Sequence, residues 1–250
     1  MWSSLTNISF HSQIFLAFEQ RRSNFLCTRE WLTVPWQIHP KDEFHRLLDI
    51  LARGPRLLQQ AEDLPNMPLE QSLPTLLTIL SRLLDSDADL ERLYEDYEAS
   101  NESKLFWEVP EPSTCEPDLK PDLHFPSVST ASLLTLHWAT AVMVWSALEG
   151  IHAGLAQSQA LSFLPHNAKT TGFLALAPSR HWLAEARKIL RSVAYCMEAT
   201  SGSPTPPGIG VALEIVIDVM RAKEGCEAEM KEARRAREEM GRRWVAIMLS

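Results

Sequence analysis

The sequence predicts an all-α fold: an irregular multi-helix bundle with a central apolar helix and a long charged C-terminal helix. Three observations lead there. Apolar residues recur at i, i+3, i+4 and i+7 in one stretch after another. No β-branched run alternates long enough to compete as a strand. Pro and Gly clusters punctuate the periodic stretches, where they end or restart helices. At 250 residues, 45% hydrophobic and 22% charged, the chain can bury a substantial core. The expectation is a single helical domain over 1–250, interrupted by an acidic Pro-rich loop at about 108–126 and a Pro/Gly loop at 201–208.

Taken in order, Phe10, Ile14, Phe15 and Phe18 lie one turn apart, and Arg21-Arg22 follow where cations suit a helix C-terminus. Asp42 can cap a helix whose Phe44, Leu47, Leu48 and Leu51 form one stripe. Gly54-Pro55 breaks and restarts it, because Pro fits a first turn but not a helix interior. Pro68 or Pro74 opens the next helix, through Leu76, Leu77, Leu80, Leu83 and Leu84. The five prolines of 108–126 predict an extended or disordered loop.

Ser127 to Leu148 contains no Asp, Glu, Lys or Arg in 22 residues, enough to cross a bilayer by length. Seven Ser and Thr side chains within it, and few flanking cations, favour a helix buried in a bundle over a membrane span. Trp138 and Trp145 should share its core-filling face, with His137 as a core histidine. The eight tryptophans as a group read as core anchors.

Charge is unevenly spread. Asp85 to Asp122 holds thirteen acids and three bases, a net of −10 against −8 for the whole chain, so the remainder is about +2. Direct nucleic-acid binding by such a chain is not expected, since phosphates require clustered Lys and Arg. Met1-Trp-Ser-Ser-Leu5 has neither a basic start nor a following apolar block, and Glu19 argues against a transit peptide, so a reducing, intracellular setting is expected.

No motif specifies chemistry. Cys27, Cys115, Cys196 and Cys226 lie too far apart for a zinc or disulfide framework to be read from spacing. Asp85-Ser-Asp87-Ala-Asp89 begins like a calcium loop but has Leu90 where Gly must turn, so helix capping by Ser86 or Asp87 is expected there. Gly208-Ile-Gly210 follows a proline loop instead of a strand and fails the context of a dinucleotide fingerprint. No catalytic, cofactor or metal residue is therefore expected, and the chain reads as a non-enzyme.

In the last helix, Cys226, Met230, Ala233, Arg237, Met240, Trp244 and Ile247 form a short heptad seam. Glu227–Lys231, Glu238–Arg242 and Glu239–Arg243 flank it in favourable order. A helix docked on its own domain is the favoured reading; a homodimer through 223–249 is the other.

Phe25-Leu26, Trp31-Leu-Thr-Val-Pro35-Trp36, Leu47-Leu-Asp-Ile-Leu51 and Gly54-Pro-Arg-Leu57-Leu58 together carry a resemblance. So do Leu136-His-Trp138-Ala139 and Ile189-Leu-Arg-Ser192-Val-Ala-Tyr195-Cys196, which follow later. In this order they resemble the C-terminal regulatory domain of fungal six-cysteine binuclear-zinc-cluster transcription factors, of the secondary-metabolism-type branch. The likeness spans about residues 10–249 and rests mostly on packing residues. The family's zinc cluster is not among these 250 residues, so no zinc ligand or DNA contact carries over. The resemblance implies transcription regulation in the nucleus, through proteins of the transcription machinery, a DNA-binding partner or a small effector. The competing expectation is a helical enzyme or accessory protein of a fungal secondary-metabolite pathway, with His137 or His181 set against an acid.

Overall fold

The structure, a computed structural model, describes residues 13–14, 16–18, 20, 22–23, 25–38, 40–109, 121–157, 171, 173–174, 181–199 and 207–248. The fold is all-α. Eight bounded α-helices appear among the described residues: α1 (Arg29–Thr33), α2 (Glu43–Leu51), α3 (Gly54–Asp63), α4 (Leu69–Ser100), α5 (Val128–Gln157), α6 (Trp182–Glu198), α7 (Pro207–Arg221) and α8 (Glu227–Met248). Two short strands, β1 (Trp107–Val109) and β2 (Asp122–His124), pair antiparallel with Trp107 opposite His124. Phe10, Phe15, Arg21, Cys115 and the side chains of Trp244 and Ile247 lie outside the described residues, as do 110–120 and 200–206.

The chain divides into two units, Met1–Leu93 with Ala147–Arg180, and Tyr94–Ser146 with His181–Ser250. The divisions fall inside α4 and α5.

In the first unit, Asp42 caps α2 by accepting from the His45 backbone N–H at 2.8 Å. The apolar stripe of α2 is then buried through Leu47, Leu48, Ile50 and Leu51. Ala52 and Arg53 make the turn, and α3 restarts with the buried Gly54 and Pro55 in its first turn. Arg53 reaches Asp89 of α4 at 2.6 Å, and Arg82 of α4 donates to Gln60 of α3 at 3.2 Å. Ile79, Leu80, Leu83, Leu90 and Leu93 are the buried face of α4. Where α5 ends, Leu148 and Leu155 are buried, and His152 meets the buried Phe173 with ring centroids 5.8 Å apart.

In the second unit, Ser127 opens α5 by accepting from the Thr130 N–H at 3.1 Å. Leu133, Leu134, Leu136, Trp138, Ala139, Val142 and Val144 are buried, so the helix is covered on nearly every side. Its fully buried hydroxyls are satisfied within the helix: Thr135 donates to the Ala131 carbonyl at 2.7 Å and Thr140 to that of Leu136 at 2.8 Å. It is long and apolar enough to cross a membrane, yet 67% of its most apolar window is buried inside the protein. Trp145 is only half-buried, unlike Trp138.

The Pro-rich segment differs from the expected loop at both ends, which form the β1–β2 ribbon. Phe125, just past β2, supplies the reason. It is buried between Trp138 and Tyr195, at centroid distances of 6.1 and 5.2 Å, while Phe106 meets Trp138 edge-on at 5.4 Å. Arg191 of α6 secures both strands, donating to the Pro121 carbonyl at 2.7 Å and pairing with Glu108 at 2.6 Å.

Of the two prolines that could open α4, Pro68 does so, its carbonyl accepting from the Gln71 and Ser72 N–H groups at 2.9 and 3.0 Å, while Pro74 lies within the helix. Two further expectations are corrected. Asp85, Ser86, Asp87 and Asp89 do not cap a helix start, because the leucine period carries α4 straight through them. Ser86 and Asp87 are buried mid-helix, and Asp89 pairs with Arg53 and Arg92. The 201–208 break ends earlier than expected, since α7 starts at Pro207 with the proline in its first turn.

In α8, Cys226 and Ala233 are buried, and Met230 and Met240 are half-buried. Arg237 pairs with Glu214 of α7, and Arg187 of α6 with Glu229 at 2.6 Å. Of the described seam residues, Cys226 and Ala233 are the ones buried within this unit.

Two glycines position α7. A methyl group on Gly208 would sit 2.9 Å from the Ser132 carbonyl oxygen, so only Gly allows this approach of α7 to α5. Gly225, between α7 and α8, holds φ at +79° with open space around it. Chemical denaturation should therefore separate three variants. Gly208→Ala should lose about 1–3 kcal/mol from overpacking against backbone. Gly225→Ala should lose about 1 kcal/mol from its left-handed backbone alone. Gly210→Ala, ordinary contact with Met240 at 3.7 Å, should be neutral or gain up to about 1 kcal/mol in helix propensity.

Candidate functional site

The described residues that gather ionisable groups around a hollow lie in the first unit. Thr28 caps α1 by accepting from the Trp31 N–H at 3.4 Å, and Pro35 starts a tight helical turn at Val34–Trp36. These two devices place Trp31 and Trp36 beside α2. With Ile14, Leu26, His45, Leu48, Asp49 and Ala52 they line a half-open pocket of about 300 Å³, including the solvent in its mouth.

Its polar groups are already organised. The Trp36 and His45 rings meet at 4.4 Å. His45 Nδ1 lies 2.5 Å from Asp42 Oδ1, so the N–H sits on Nδ1 and the carboxylate accepts it. Lys41 donates to Asp49 and holds its ammonium 5.3 Å from the Trp36 ring centre. Burial pushes the Asp49 carboxyl above the usual carboxylate range, against the opposing pull of Lys41, Arg53 and His45. The Trp36 indole N–H is buried and meets no acceptor among the described residues.

No Ser, Thr or Cys is among the described residues that line the pocket, where His45 lies against Asp42 and Asp49 against Lys41. Among the described residues, no three His, Cys, Asp or Glu side chains gather as metal ligands would.

The histidines considered from sequence lie elsewhere. His137 is half-buried on α5 with its ring 5.5 Å from that of Tyr94, whose hydroxyl burial pushes upward, helped by Glu98 and Glu185. His181 is exposed just before α6. Cys196 is buried and its thiol is pushed up to about 12 by that burial, which makes it inert at neutral pH. Cys226 is buried too, its thiol 3.5 Å from the carbonyls of Met220 and Lys223.

His45 and Asp49 escaped sequence reasoning. Their signal was present: a His–Asp pair at i, i+4 on the edge of the Leu47–Leu51 stripe, downstream of two tryptophans. No protein-family model, curated protein or solved structure matches this chain.

Asp49 generates a pH prediction. Because folding raises its pKa, its contribution to stability is complete below 3.8 and is lost as pH rises through the raised value. Asp49→Asn, which keeps an oxygen for Lys41, removes that titration. Unfolding free energies measured across acidic to neutral pH should show the parent losing ground to the variant as pH rises. A difference that stays level would contradict the burial of this carboxylate.

Proposed function

We propose that this chain is the regulatory domain of a fungal transcription regulator of the binuclear-zinc-cluster type, working through protein contacts or a small effector. It is a non-enzyme in this reading, placed in the nucleus by the same resemblance. Its DNA reader would be a partner protein or a segment other than these 250 residues.

One observation supports the proposal: many residues behind the resemblance pack inside their units, with Leu26, Leu47, Leu48, Leu51, Leu57, Trp138 and Ile189 buried and Trp31 and Trp36 half-buried. Trp31, Trp36 and Leu48 surround the pocket of the first unit. Trp138 and Tyr195, from the two later segments, meet across Phe125 in the second. A likeness built on packing residues predicts this distribution. The segment around the pocket also exposes Phe25, Val34 and Ile38, apolar surface that a protein partner would cover. A homodimer through 223–249 would use the outer face of α8, with Lys231, Arg234, Arg235 and Glu238 exposed. On that face bases alternate with acids, which also suits a protein contact better than a phosphate backbone.

The test is transcriptional. Fused to a heterologous DNA-binding domain in a fungal host, residues 1–250 should change reporter output several-fold relative to that domain alone. Reporter output identical to the unfused domain, with the fusion stable and nuclear, would sink the regulatory reading. A second expectation follows from the charge distribution. The purified chain should bind duplex DNA at physiological salt no more tightly than about 10⁻⁴ M, and without sequence preference.

A further inference from the structure

We draw no further inference here: the strongest candidate, the exposed apolar surface of Phe25, Val34 and Ile38 on either side of α1, carries nothing, because nothing in the structure shows what covers it.

Discussion

A helix with no charged side chain over 22 residues must be covered, and meeting that demand along α5 sets the second unit around it. Its side chains offer little to water, so neighbours contribute apolar surface or bring their backbones close. Phe106 and Phe125 lay rings against Trp138, and Gly208 brings α7 against the backbone of Ser132. Lys188 covers Trp138 with its ammonium 5.6 Å from the ring centre. The hydroxyls of Thr135 and Thr140 turn back onto carbonyls of their own helix, while the buried Thr130 accepts from the Tyr97 hydroxyl at 3.1 Å. A helix so satisfied can be surrounded by almost any apolar neighbour, which is why an irregular arrangement suffices.

The first unit solves a different problem. Its apolar stripe on α2 is narrow, and Lys41, Asp42, His45 and Asp49 stand along its border. Each finds its complement within a few residues, Lys41 with Asp49 and Asp42 with His45. Such local pairs add little net stability, because the attraction within a partly buried ion pair is largely offset by its ordering and desolvation cost. Their effect is geometric. They hold Trp36 between an imidazole and an ammonium, with its N–H buried, at the rim of a hollow that the bulky side chains do not fill.

How much of this was legible follows from the range of each interaction. The cap at Asp42, the restart at Gly54-Pro55 and the buried stripe of α2 were legible because they are decided within one or two turns. The apolar character of α5 was legible by composition. The β1–β2 ribbon was not, because Trp107 and His124 are seventeen residues apart and only Phe125, reaching Trp138 and Tyr195, draws them together. Asp85 to Asp89 misled because Asp and Ser do favour caps, and the tertiary burial of Leu83, Leu90 and Leu93 outweighed that local preference. The role of Gly208 was hidden for the same reason, since nothing local says that its neighbour is the backbone of Ser132. The pocket was half-visible: Trp31 and Trp36 stood out, but their meeting with His45 and Asp49 depends on how α1 and the turn after it fold back.

The two units therefore place different weight on the same kind of residue. In the second unit Trp138 is buried, enclosed by the rings of Phe106 and Phe125 and by the Lys188 side chain. In the first unit Trp36 is half-buried, with His45 and Lys41 against its ring and its N–H without an acceptor among the described residues. The titratable groups that border the hollow stand in pairs, Lys41 with Asp49 and His45 with Asp42, and the thiols of Cys196 and Cys226 are buried.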